Sequence, residues 1–235
     1  MKGFYIMSSF VLKLIAIISM FLDHSSDALI GHLSVLNIIG RLAFPIFAFQ
    51  LAIGYTHTHD ISKYAKRLAL FAFISQIPLS IFTYFIFGTA IYLNIFFTLL
   101  FGLISLLIYD RVQSKPIKCI AIIILTLIAE YLHFDYGAWG VLLILYIYLF
   151  CPIFKSKNNA GLFLVGFLAL CILKYIPNFN ITPLNWLIAE ILFTFLPSVL
   201  MLLYNGKKGP SLKYIFYIFY PLHIAVLDII FYIIH

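Results

Sequence analysis

Long apolar runs, broken by short polar clusters, are the dominant pattern of this chain. Nine runs stand out, near residues 13–31, 36–55, 68–87, 91–109, 117–133, 137–154, 161–176, 184–203 and 214–233. Each is close to the about 20 residues that a helix needs to cross a hydrocarbon layer. The clusters between them carry turn chemistry or charge: THTHD, FGT, DRVQSKP, FDYG, KSKNN, PNFNITP and NGKKGPS. In lipid a chain must satisfy its own backbone, so the runs are expected as helices. The pattern predicts an all-α polytopic integral membrane protein, a bundle of roughly nine to ten transmembrane helices. There is no repeat, linker or low-complexity block, and a single domain over 1–235 is the simplest description. The start, MKGFYIMSSF, has no A-x-A site and is not read as a removable signal peptide.

Composition agrees with this picture. The chain is 64% hydrophobic and only 10% charged, against about a quarter charged in ordinary globular domains. A soluble protein of this length has too little interior to hide so much apolar surface. The three cysteines, Cys119, Cys151 and Cys171, lie scattered in apolar runs and suggest neither a metal nor a disulfide. His57 and His59 resemble a metal pair only superficially, because no third ligand is evident.

The net charge of +7 at first suggests nucleic acid, but its distribution does not. Thirteen of the 15 Lys and Arg lie in alternate connections: Lys2 and Lys13; Lys63, Lys66 and Arg67; Arg111, Lys115 and Lys118; Lys155 and Lys157; Lys207, Lys208 and Lys213. The other connections have none. By the positive-inside rule the N-terminus is cytoplasmic, the C-terminus faces outward and the span count is odd. The expected location is the bacterial cytoplasmic (inner) membrane, with the bilayer as partner and no nucleic acid.

Ionisable groups inside spans mark functional sites by default. Starting the first span at Lys13 lets that side chain snorkel to the interface, leaves residues 1–10 as an interfacial segment, and puts Asp23 and His24 near the midplane. Asp23 and Asp27 are four residues apart and His24 and Asp27 three apart, so on a helix either pair shares a face. A carboxylate beside an imidazole fixes its tautomer and raises its basicity; the bland alternative is a polar knot that joins helices. Arg41, in IIGRLAFPIFAF, cannot lose its charge, and Asp23 or Asp27 is its natural partner. Pro45 deprives the Arg41 carbonyl of a helix donor, which predicts a kink. His223 stands two residues after Pro221 in the last span. Lys174 and Glu190 read as a structural ion pair. Glu130 and Asp135 lie where they would face a mouth open to the exterior. Asn94 and Gln76 either cap freed backbone groups or orient a site residue.

The segments LKLIAIISMFLDH, NIIGRLAFPIFAFQLAIGYTHTHDISKYAKRLALFAFISQIP, LNIFFTLLFGL, DYGAWGVLLILY and YIFYIFYPLH resemble, in order, the TraX family of bacterial membrane proteins, over about residues 12–225. The resemblance implies a membrane acetyltransferase linked to N-terminal acetylation of pilin. Its plan is similar to that of transmembrane acyltransferases that pass acetyl from cytoplasmic acetyl-CoA to an acceptor across the membrane. Asp23 and His24 would then be the D-H element, Arg41 the arginine of G-R-L-A-F-P, and His223 the histidine of Y-P-x-H. On this reading His24 is the catalytic base or acyl carrier, oriented by Asp23 or Asp27. Arg41 or His223 faces the developing oxyanion. Asn94, Glu130 and Asp135 line or orient the substrate. Lys63, Lys66 and Arg67 bind the coenzyme A phosphates, and no metal is needed. The acceptor (a protein, glycan or lipid) and homo-oligomerisation stay open. So do two rival classes: a proton-coupled small-molecule transporter, and a non-catalytic component of a conjugation or secretion apparatus.

Overall fold

The structure, a computed structural model, describes residues 6–31, 34–88, 92–155, 157–210 and 213–234. Lys2 lies outside the described residues. Ten α-helices are described: α1 (Ser9–Leu29), α2 (Val35–Gly40), α3 (Ala43–His57), α4 (Ile61–Phe87), α5 (Ile95–Arg111), α6 (Lys115–Tyr131), α7 (Gly137–Phe150), α8 (Ala160–Tyr175), α9 (Leu184–Leu202) and α10 (Lys213–Ile234). All nine apolar runs are helical. The second divides at Arg41–Leu42 into α2 and α3, four and three residues before Pro45, where the ring removes a donor. Six helical stretches are long and apolar enough to cross a membrane: Ser9–Leu29, Val35–His57, Ile61–Phe87, Ala160–Asn178, Leu184–Leu202 and Tyr214–Ile234. The protein is a multi-pass helical membrane protein. Helices α5 and α6, of 17 residues each, and α7, of 14, are shorter.

Two compact units are distinguished, with bounds that fall inside α3 and α7. One comprises Met1–Gln50 with Tyr146–Leu212, the other Leu51–Leu145 with Lys213–His235.

In the first unit, α1 begins at Ser9, four residues before the expected Lys13. The reason is that its first donors find partners. The N–H groups of Ser9 and Phe10 bond to the carbonyls of Lys207 and Lys208 at 2.9 and 3.1 Å, and Ser8 Oγ accepts from Val11 N. Helix N-termini leave such donors orphaned unless something caps them. The connection after α9 does so by running alongside residues 6–10, with Met7 and Tyr204 in a parallel bridge. Gly209 makes this possible: its φ is +71°, and a Cβ there would sit 2.8 Å from that of Phe10. Gln50 closes the corner, accepting from Ser9 Oγ at 2.6 Å. Phe44, Phe49, Phe163 and Phe167 are fully buried. Tyr175 and Thr194 join α8 to α9 through their hydroxyls at 2.9 Å.

In the second unit, α4 starts at an Asp60 cap, whose carboxylate accepts from Lys63 N at 2.9 Å. That bond, with the Lys63 ammonium beside it, holds the Asp60 carboxyl below the usual carboxylate range. Helices α4 and α10 run parallel: Phe71 stacks on Tyr217 at 5.0 Å and Phe85 on Phe231 at 6.0 Å, fourteen residues further along both. Asn94 starts α5 by accepting from Phe96 N. Its amide donates to the Ala72 carbonyl at 2.6 Å and to Gln76 Oε1 at 2.9 Å. Both expected roles of Asn94 and Gln76 as caps of backbone groups are thus met in one cluster. Tyr55 OH bonds Asp110 at 2.7 Å near the far end of α5.

Gly102 of α5 lets Ile144 of α7 approach, because a Cβ there would overlap Ile144 Cδ1. Gly102→Ala should therefore lower the thermal unfolding midpoint in detergent by the equivalent of about 1–3 kcal/mol, the usual cost of overpacking. Ile144→Val removes the clashing methyl, and the double variant should recover part of the loss. Additive losses would show that the two residues do not press on one another.

Candidate functional site

A polar knot joins α1 to α2. Asp23 and Asp27 lie one turn apart on α1, as their spacing predicts. Asn37 of α2 donates through the same Nδ2 to Asp23 Oδ1 at 2.9 Å and to Asp27 Oδ1 at 2.8 Å. Its Oδ1 accepts from Ser26 Oγ and from the Ser34 backbone, each at 3.1 Å. Ser26 and Ser34 share a short hydroxyl–hydroxyl bond. Ser34 caps α2, with Asn37 completing a capping box. One amide thus serves both carboxylates, and the capping geometry aims it.

The approach depends on Gly40. A Cβ there would stand 2.5 Å from the Asp23 Cβ and Cγ, so α2 closes on α1 only because residue 40 has no side chain. Arg41 follows immediately as the C-cap of α2. The carboxylate that meets it belongs to α9: Arg41 Nε lies 3.2 Å from Glu190 Oε1. Glu190, expected opposite Lys174, meets Arg41, and Asp23 and Asp27, expected opposite Arg41, each have an oxygen that accepts from Asn37. Lys174 Nζ sits 5.2 Å from the ring centre of its neighbour Tyr175. The physical reason is helix order: α2 packs on α9 as well as on α1, and a kink at Arg41 turns the guanidinium toward α9.

His24 is half-buried on α1, within electrostatic reach of Arg41. The first unit therefore gathers Asp23, His24, Asp27, Arg41 and Glu190 on three helices of otherwise apolar sequence. It combines two acidic side chains that share one amide donor, an imidazole and a permanent cation.

His223 belongs to the second unit. It is buried, at 5% exposure, and its Nδ1 lies 2.7 Å from the Phe219 carbonyl. A carbonyl only accepts, so Nδ1 carries the proton and Nε2 of the neutral ring carries the lone pair. The ring stacks on Phe219 at 4.8 Å and meets Tyr220 edge-on at 5.7 Å. In the same unit Lys63 and Lys66 are exposed on the first turns of α4, with Lys63 Nζ 3.1 Å from Asp60. Arg67 is half-buried over the Tyr64 ring at 5.5 Å and bonds to the Tyr217 side chain. Glu130 Oε2 accepts from Ala138 N at 2.9 Å, and Asp135 N donates to the Leu93 carbonyl at 2.8 Å. Among the described residues no group of three or more His, Cys, Asp and Glu is placed to hold a metal.

Sequence reasoning missed Asn37. The signal was available: an asparagine three residues after a serine and four before an arginine, in an apolar run, is costly in lipid unless its amide finds partners. Asp228, another ionisable residue of the last span, is buried on α10 at 7% exposure.

These features define a multi-pass helical membrane protein with a network of ionisable side chains built into its spans. Comparison with known proteins places it further. The chain belongs to the TraX family, whose model, described as TraX protein, matches residues 8–231. It is 34% identical over 240 residues to a protein described as probable fimbrial assembly protein FimC, serogroup H1, of Dichelobacter nodosus, with 94% of each chain covered. No solved structure matches the chain.

Two variants test the knot. Asn37→Leu leaves two carboxylates without their shared donor, and unsatisfied buried groups of this kind cost about 1–3 kcal/mol each or more. Its unfolding midpoint in detergent should fall well below that of Asn94→Leu corrected for the lost cap. Glu190→Ala removes one partner of Arg41, and because both side chains are partly exposed the loss should stay below about 3–5 kcal/mol, the cost typical of a fully buried pair. An unfolding midpoint unchanged by Glu190→Ala would mean that water already solvates Arg41.

Proposed function

We propose that the protein is a membrane-embedded acetyltransferase. It takes acetyl from cytoplasmic acetyl-CoA and delivers it to an amine or hydroxyl acceptor at or beyond the membrane. The acceptor that the family and the fimbrial relative favour is a pilin or fimbrial subunit at its N-terminus. The observation that carries this reading is the knot of Asp23, Asn37 and Asp27 beside His24 and Arg41. Such a concentration of polar groups in lipid-spanning helices is expensive to retain without use.

His24 is the group that removes the acceptor proton, and Asp23 and Asp27 set the electrostatics around it. Arg41, anchored by Glu190, supplies fixed positive charge where negative charge develops. His223, whose Nδ1–H donates to the Phe219 carbonyl, presents a neutral imidazole within the second unit. The donor set at the start of α4 fits a polyphosphate: Lys63 and Lys66 are exposed, and Arg67 has a buried Nε with no hydrogen-bond partner of its own. Acetyl-CoA supplies the activated acyl group when it is bound there. The charge alternation supports nine spans, a cytoplasmic N-terminus, an outward C-terminus and residence in the inner membrane. The parallel course of α4 and α10, both leaving basic connections, agrees with it.

The decisive experiment is mass spectrometry of the purified protein with isotopically labelled acetyl-CoA, following turnover and label on a candidate acceptor. His24→Ala should reduce transfer by about 10²–10⁴-fold, the usual cost of losing a positioned base, while acetyl-CoA still binds. His223→Ala should give a partial loss. Normal turnover in both variants would return the lead to a transporter or scaffold. Neutralising Lys63, Lys66 and Arg67 together should weaken acetyl-CoA binding, more at low salt than at high salt because exposed charge is screened.

A further inference from the structure

One end of the second unit is built on two levels. Leu68–Phe87 of α4 is an apolar stretch of about 30 Å at 1.5 Å per residue, the thickness of the hydrocarbon core. Gln76 lies near its middle. Gln76 Nε2 donates to the Tyr92 carbonyl at 2.9 Å, and Gln76 Oε1 accepts from Asn94 N at 3.1 Å. Residues 92–94 are therefore level with the middle of α4, about 16 Å below its end at Phe87. The turn between α6 and α7 lies at that level too, because Leu93 N donates to the His133 carbonyl at 3.0 Å and Asp135 N to the Leu93 carbonyl. Phe134 pins the turn from below, buried in a cluster with Ala129 and Val141 and packed on Phe101 at 4.7 Å. Helices α5 and α6, about 26 Å each, stop short, while α4 and α10 continue side by side to Phe85 and Phe231.

Irregular backbone at membrane depth is tolerated only where protein buries it or water reaches it. Here Glu130, His133 and Asp135 are all exposed at the turn. Lipid would not solvate them. We propose that the second unit holds a water-filled vestibule, entered from the face opposite Lys63 and Lys66. Its floor is residues 92–94 and 131–136, and its electronegative wall selects ammonium-bearing ligands. Glu130 and Asp135 supply that charge. The ligand class rests on the acetyltransferase reading, in which a primary amine is the acceptor, whereas the vestibule itself rests on helix length and register alone.

Accessibility in intact spheroplasts tests it, using the full chain with Cys119, Cys151 and Cys171 replaced by alanine. Asp135→Cys should react from outside with impermeant methanethiosulfonates. Relative to Asn178→Cys, it should favour the trimethylammonium reagent over the sulfonate several-fold, and adding Glu130→Gln should erase most of that preference. Ile77→Cys, 69% exposed on α4 at the same level, should stay unlabelled because it faces lipid. His133→Cys serves if Asp135→Cys does not accumulate. A turn labelled only after permeabilisation, or Ile77→Cys labelled as fast as the turn, overturns the vestibule. Labelling without charge preference overturns the ammonium selectivity alone. None of these outcomes requires acetyl transfer, so the vestibule and the enzymatic reading fail separately.

Discussion

Hydrocarbon offers no hydrogen bonds, so a polar group that this chain carries into a span needs a partner in the protein or water in a cavity. That constraint shapes most of what is ordered here. The first N–H groups of α1 are answered by the connection after α9, those of α5 by Asn94, those of α8 by Asn159. Asn94 and Gln76 between them satisfy the Ala72 and Tyr92 carbonyls and the N–H of residue 94. The same demand brings α2 onto α1, where the Asn37 amide donates to both Asp23 and Asp27. Gly40 is the steric condition for that meeting.

The knot and the ion pair have different energetic characters. The Asp23–Asn37–Asp27 arrangement is a set of short bonds to charged acceptors, which are about twice as strong as neutral ones. The Arg41–Glu190 pair offsets a desolvation cost more than it adds stability. Both place charge where a purely structural protein would have used leucine. Stability alone does not explain them. The acetyltransferase reading gives each a chemical role, proton transfer at His24 and fixed positive charge at Arg41.

Helix length is the second organising feature. A bundle whose helices all matched the bilayer would put every connection in water at its surface. Here α5, α6 and α7 are shorter than the helix beside them. The hydrogen bonds of Gln76 with residues 92 and 94, and of residue 93 with 133 and 135, fix how far short they fall. The turns at residues 92–94 and 133–135 therefore stand level with the middle of α4.

What the sequence by itself determined is what depends on composition and local spacing. Lipid as solvent, helices over all nine apolar runs, the break before Pro45, the shared face of Asp23 and Asp27, and membership in the TraX family were legible because each follows from residues near one another or from a continuous pattern. Partners across helices were not. The ion pair of Arg41 with Glu190 and the hydrogen bonds of Asn37 to both Asp23 and Asp27 were not expected. These pairings depend on which helices pack and at what register, and several helices offer chemically equivalent choices along the chain. The start of α1 at Ser9 also belongs to the tertiary structure, since its donors are met by residues some two hundred positions away. The level of Asp135 along α4 does too. Sequence places it at the end of a span, and only the bonds of its turn to Leu93, and of Gln76 to residues 92 and 94, set it beside the middle of α4.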